Sequence, residues 1–160
     1  MTTKSEFTED EWARIVRAPF VAGMAVSLAD PGGPVETTKE TMATLESARN
    51  PPSSEELLAE VSRDIEAMRE NKQSPLGGYR PTAEAGSAVD QVLDELRAVQ
   101  AMVSAKAAAE EAAAFGRWVL TAAQAAADAV KEGGFMGFGA QQVSDREQAV
   151  LDRVRAAVTE

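Results

Sequence analysis

The chain contains no cysteine and no histidine, and each absence excludes a class of chemistry. Without thiols there can be no disulfide, no cysteine nucleophile and no thiolate metal site. Without imidazole there can be no Ser-His-Asp triad, no histidine general base and no histidine-ligated zinc or di-iron centre. No nucleotide-binding motif is present either. We therefore expect a protein that is not an enzyme and that holds no cofactor and no metal.

Basic residues and long apolar runs are also scarce. The 16 Lys and Arg face 26 Asp and Glu, which gives a net charge of −10. This charge repels phosphate backbones and so argues against nucleic-acid binding, while basic partners and cations stay possible. The longest apolar run, residues 18–29, has about 12 residues, whereas a membrane span needs about 20. The first residues lack the apolar segment of a signal peptide, so we expect a cytoplasmic protein without a transmembrane segment.

Four Ser/Thr-x-x-Glu capping boxes predict the starts of helices, and they begin at Thr8, Thr37, Ser53 and Ser144. The first box lies between Phe7 and Trp12, which occupy the two positions of a hydrophobic staple. No stretch alternates cleanly between apolar and polar residues, as a half-buried strand would. The pattern therefore predicts an all-α fold.

The first helix should break or kink at Ala18, because Pro19 has no amide to donate and clashes with the preceding turn. A second helix should begin at Pro19 and end at Ala29. It is apolar on nearly every face, which is typical of a buried helix, so we expect it to be the central core helix. Three further helices show apolar stripes: Met42, Leu45 and Ala48; Leu57, Leu58, Val61, Ile65 and Met68; and Val150, Leu151, Val154 and Val158.

Residues 82–132 are rich in alanine and could form one helix or two. One continuous helix would be roughly 70 Å long at about 1.5 Å per residue, which is too long for a compact domain of this size. Two apolar stripes are separated by Lys106, Glu110 and Glu111, so we predict two helices with a turn between about Ser104 and Glu111. The stripes are Val89, Val92, Leu96, Val99 and Val103, and then Phe115, Val119, Ala122, Ala126 and Val130. The complete prediction is a single domain, residues 1–160, with about six helices and a loop at about 72–81.

A Gly-Phe segment, residues 131–147, holds four of the 11 glycines and two of the five phenylalanines. Phe135, Met136 and Phe138 could turn inward and plug the end of the bundle, with the glycines supplying a tight corner. The same three side chains could instead stay exposed and contact a partner. A phosphate cradle is a third alternative, although the segment lacks the Lys-Ser/Thr of a P-loop. We name these three residues as possible partner contacts.

The same segment carries a resemblance to a known family. The residues from Lys131 to Gly139 read KEGGFMGFG, and Val143, Ser144 and Glu147 follow, which resembles the KEGGFxGFG…VSxxE signature of an uncharacterised family of small bacterial all-helical proteins. Residues 18–33 and Lys39-Glu40 are similar to the N-terminal part of that family. The arrangement of a helix, an Ala-Asp-Pro-Gly-Gly loop and a capped helix is remotely similar to tellurite-resistance TerB-like domains. That second resemblance implies a cation-binding stress-response module that uses carboxylates.

Carboxylates group in two places that could bind a hard cation, although acidic helix faces are common in so acidic a chain. The groups are Asp90, Asp94 and Glu95, and then Asp128 and Glu132. Our main hypothesis is a non-enzymatic interaction or scaffold protein. It would contact a protein partner, or its own copy, through apolar helix faces or the Gly-Phe segment. The alternative is the TerB-like cation-binding module.

Overall fold

The computed structural model describes residues 2–29, 33–82, 87–131 and 144–159. In these residues the chain forms six α-helices after a short 3₁₀ helix, Lys4–Glu6, and no strand. The helices are α1 (Glu9–Ala29), α2 (Pro34–Arg49), α3 (Glu56–Glu70), α4 (Ala88–Lys106), α5 (Ala109–Lys131) and α6 (Asp145–Thr159). The predicted all-α bundle is confirmed.

Two helices, α1 and α5, share the centre of the bundle, and each contacts all five other helices. The core between them includes Ile15 and Val21 from α1 and Phe115 and Trp118 from α5, all of which are almost completely buried. A side chain at Gly116 would place its Cβ 2.3 Å from the Val158 carbonyl oxygen, so glycine permits α5 to touch α6 there. The predicted central helix, from Pro19 to Ala29, is therefore the C-terminal half of α1, and α1 shares the centre with α5.

Helix α1 continues through Pro19, so the predicted break at Ala18 is wrong. Proline in a helix interior removes one backbone hydrogen bond and costs about 3 kcal/mol. Ala18, Pro19 and Phe20 are all buried against neighbouring helices. Packing on both sides of the proline thus outweighs its local penalty and keeps the helix whole.

Helix α1 is also long and apolar enough to cross a membrane, by length and composition alone. However, 61% of its most apolar 18-residue window is buried inside the bundle. The mostly buried core helix of a soluble protein and a signal sequence near the N-terminus pass the same test, and in the described bundle α1 packs against five other helices.

Two of the four capping boxes form as predicted. The Thr8 amide donates to Glu11 Oε1 at 2.8 Å and the Glu11 amide donates to Thr8 Oγ1 at 3.1 Å. The Phe7 and Trp12 rings make the predicted staple, with centroids 5.9 Å apart. The box at Ser144 is equally complete, with both of its hydrogen bonds at 3.1 Å.

The other two boxes do not form. Helix α2 already begins at Pro34, after Gly33, because a proline at the first position needs no amide partner and has a helical φ. Helix α3 begins at Glu56, since Glu55 before it still has an extended ψ of 139°. Neither Thr37 nor Ser53 caps a helix.

The division of the alanine-rich region into two helices is confirmed, with the turn at residues 107–108. Most of the predicted inward stripes are also confirmed. Loop residues 72–81 are not helical, as predicted. Within this loop, the centre of the Tyr79 ring lies 4.9 Å from the Arg17 guanidinium. The stripe residues that are buried are Leu57, Leu58, Val61, Ile65, Val92, Leu96, Val99, Val103, Phe115, Val119, Ala122, Ala126, Val150, Leu151, Val154 and Val158.

The N-terminal segment, residues 2–7, is held in place by carboxylates and one lysine. The Glu111 carboxylate accepts hydrogen bonds from the Thr2 amide, at 3.0 Å, and from the Thr2 hydroxyl. Asp64 pairs with Lys4 at 2.8 Å, and Lys106 donates to the Glu6 carbonyl at 3.0 Å. Three helices are thereby tied to one short segment.

These contacts lower carboxyl pKa values. Burial alone would raise the pKa of Glu111, but hydrogen bonds from Thr2 and the Ala108 amide outweigh it and the pKa is lowered. The pKa of Asp64 is lowered in the same way, with hydrogen bonds from Lys4 and Trp12 outweighing burial. A carboxyl whose folded-state pKa is depressed stabilises the fold above its ordinary pKa and loses that contribution as the pH falls.

We therefore predict that acid weakens the attachment of the N-terminal segment through Glu111. Between about pH 7 and about pH 3, the melting temperature of wild type should fall further than that of Glu111→Gln, which has already lost the charge. Glu110→Gln is the matched control, because Glu110 is the exposed neighbour on α5. Thermal melts at both pH values measure the difference, and equal slopes for wild type and Glu111→Gln would contradict it.

Candidate functional site

The three residues predicted to contact a partner, Phe135, Met136 and Phe138, lie outside the residues that the structure describes. The plug, partner-contact and phosphate alternatives for the Gly-Phe segment therefore stay predictions. The described residues offer a different candidate surface, on helix α2.

The inner face of α2 is short and polar instead of apolar. Glu40, Thr44 and Ala48 are the buried residues of this helix. The predicted inward stripe was therefore wrong for Met42, which is 66% exposed, whereas Leu45 is half-buried and Ala48 is buried. Since residues four apart share a helix face, burying 40, 44 and 48 turns Met42 towards solvent.

A close crossing of α1 and α2 explains why the inner face has this composition. A Cβ on Gly23 of α1 would stand 2.6 Å from Thr44 Oγ1, which is closer than a Cβ atom approaches a non-bonded neighbour. The Thr44 side chain is held in place, because its hydroxyl donates to the Glu40 carbonyl oxygen at 2.7 Å. A short side chain at position 44 thus lies directly against the backbone of α1 at Gly23.

Glu40 connects the two helices beside this crossing. Its side chain is buried, and its carboxylate accepts a hydrogen bond from the Ser27 hydroxyl of α1. A cavity of about 190 Å³ adjoins the pair, with mostly apolar walls that include Phe20, Met24 and Leu76. The sequence pattern places Glu40 in a capping box at a helix start, whereas in the structure its carboxylate connects α2 to α1.

The outer face of α2 carries four residues at positions i, i+4, i+7 and i+11, and we call it the α2 stripe: Val35, Lys39, Met42 and Glu46. Val35 and Met42 are 63% and 66% exposed, and they are the large exposed hydrophobic side chains in the described part of the chain. Lys39 forms no ion pair with any residue that the structure describes. Glu46 makes an exposed pair with Arg49 on its own helix, at 3.4 Å. The spacing of these four residues is present in the sequence, but it is missed when Met42 is assigned to the buried face.

The carboxylates considered for cation binding do not converge. Asp90 pairs with Arg153, Asp94 with Arg97 and Glu95 with Arg14, so three neighbouring residues have three different partners. Asp128 accepts a hydrogen bond from Gln124, and Glu132 lies outside the described residues. In the described ranges no group of three acidic side chains could hold a metal ion.

The two tryptophans are core residues, as their helical settings suggest. Trp12 donates its indole N–H to Asp64 Oδ2 at 2.7 Å, and Trp118 donates to the Ser47 carbonyl oxygen at 3.3 Å. Tyr79 is half-buried, and this burial, followed by the charge of Glu95, raises the pKa of its hydroxyl. A raised pKa makes Tyr79 a weaker acid than usual.

Comparison with known proteins gives no relative: no family model, no curated protein and no solved structure matches this chain. The resemblances to the bacterial helical family and to TerB-like domains therefore stay predictions, and the α2 stripe is interpreted from its own geometry.

We predict that Gly23→Ala destabilises the protein by about 1–3 kcal/mol through overpacking against Thr44, although alanine is the better helix former. Replacing Thr44 by alanine removes the atoms in the way. The double variant Gly23→Ala/Thr44→Ala should therefore be more stable than the sum of the single effects predicts. Urea unfolding of the four proteins measures this coupling. Additive effects would show that the two residues do not constrain each other.

Proposed function

We propose that this protein is a non-enzymatic interaction protein that binds a protein partner through the α2 stripe. The observation that carries the proposal is the pair of exposed apolar side chains, Val35 and Met42, seven residues apart on one face of a helix. Burying such a side chain contributes about 1.5–3 kcal/mol, so covering both would favour association.

The charges of the stripe add specificity to this apolar contact. Lys39 lies between Val35 and Met42 and has no ion-pair partner among the described residues. A partner that places an acidic group between two apolar side chains would match the apolar, basic, apolar order of Val35, Lys39 and Met42. Such exposed pairs contribute little affinity but select orientation.

Helix α2 is well supported for this role. It packs against α1, α3 and α5, and its Arg49 pairs with Glu66 of α3 at 2.6 Å. A helix that is already ordered loses less conformational freedom on binding than a segment that must fold first. The stripe therefore lies on a helix that is already ordered, and the opposite face of that helix is held by the crossing with α1.

A photoreactive amino acid in place of Met42 tests the proposal in cells. We expect a covalent adduct with a protein at position 42, and none at the matched control position Ala101, which is exposed on α4. Both variants should melt at the wild-type temperature, since neither side chain is buried. Equal adducts at the two positions, or none at position 42, would refute the proposal.

A further inference from the structure

The α2 stripe is complementary to itself when two helices run antiparallel. Lys39 and Glu46 lie at equal distances from the point between residues 42 and 43, on opposite sides of it. A two-fold axis through that point places Lys39 of each copy opposite Glu46 of the other, which is the isologous arrangement of a symmetric dimer. Met42 of each copy then lies beside the axis and packs against Met42 of the second copy.

We infer that the partner of the α2 stripe is a second copy of this chain, joined by an antiparallel α2–α2 contact with two reciprocal Lys39–Glu46 ion pairs. The inference rests on the proposed function and names its partner. Glu46 is accessible to a second copy, because its side chain is 70% exposed and its present partners are surface groups of its own helix end: it pairs with Arg49 at 3.4 Å and accepts a hydrogen bond from Asn50 Nδ2 at 3.2 Å. A carboxylate can accept from both cations at once.

Charge also selects this register over its competitor. The other antiparallel register stacks Val35 on Met42 of the second copy, which buries more apolar surface. However, it brings the two Lys39 side chains next to each other near the axis, and like charges at that distance repel. Of these two registers, the one centred beside Met42 pairs each lysine of the stripe with a glutamate of the stripe.

The dimer should be weak and dependent on salt. Each copy carries a net charge of −10, so two copies repel at long range until salt screens them, with a Debye length of about 8 Å at physiological ionic strength. One helix pair is also small beside the roughly 1,600 Å² of a standard interface. We therefore expect association at high protein concentration and at physiological salt.

The absence of cysteine makes a direct geometric test possible, because a single introduced thiol is unique. Met42→Cys should form a disulfide-linked dimer under mild oxidation, since the two positions meet at the axis. Val35→Cys is the matched control, because it is as exposed as Met42 but lies about 20 Å from its counterpart at about 1.5 Å rise per residue. A disulfide requires Cα atoms within about 7 Å. Equal yields from the two variants would overturn the inference.

A charge exchange tests the ion pairs independently of any cross-link. Lys39→Glu and Glu46→Lys should each weaken dimerisation roughly tenfold, because attraction becomes repulsion at two symmetric places. The double variant Lys39→Glu/Glu46→Lys should recover wild-type association. Sedimentation velocity over a range of concentrations measures all four proteins. A monomeric wild type, or a double variant as weak as the single ones, would contradict the inference.

The two proposals fail in different ways. If Met42 captures a different protein in cells while the purified chain stays monomeric, the proposed function stands and the dimer is refuted. If position 42 captures neither a second copy nor any other protein, the proposed function itself is refuted.

Discussion

The close crossing of α1 and α2 at Gly23 and Thr44 is the constraint on which the orientation of α2 depends. Backbone and side chain meet there with no room for a Cβ on α1. Helix α2 can approach only with its short polar face, where the Ser27 hydroxyl also donates to Glu40. Because that face is turned inward, Val35 and Met42 are presented to solvent. The exposed stripe is thus a consequence of how the core is packed.

The parts of the fold that the sequence predicts well are those where apolar periodicity and burial coincide. In α3, residues such as Leu58, Val61 and Ile65 are long, apolar and inward, so the pattern identifies both the helix and its core face. The same holds for the α4–α5 division, where charged residues at about 106–111 interrupt the stripe. The starts at Thr8 and Ser144 were predictable because both partners of each capping box are local in sequence.

The failures have a common cause, which is that contacts distant in sequence override local preference. Pro19 should interrupt α1, but the helix is continuous through it and the residues around it are buried. The inner face of α2 is Glu40, Thr44 and Ala48, and no hydrophobicity pattern can identify it. Apolar spacing alone assigns Met42 to the core, because it lies three residues before Leu45. The α2 stripe can be identified only from the packing of α1 against α2. The other candidate contacts, Phe135, Met136 and Phe138, lie outside the described residues.

The measurement that tests this account most directly is thiol labelling along α2. With no native cysteine, variants with one cysteine at position 42, 44 or 48 report exposure of that position alone. In solutions dilute enough to keep the chain monomeric, we predict that Met42→Cys reacts at nearly the rate of a free thiol, while Thr44→Cys and Ala48→Cys react only as fast as the helix opens locally. Slow labelling of Met42→Cys together with fast labelling of Ala48→Cys would show that α2 is rotated, and would contradict the account.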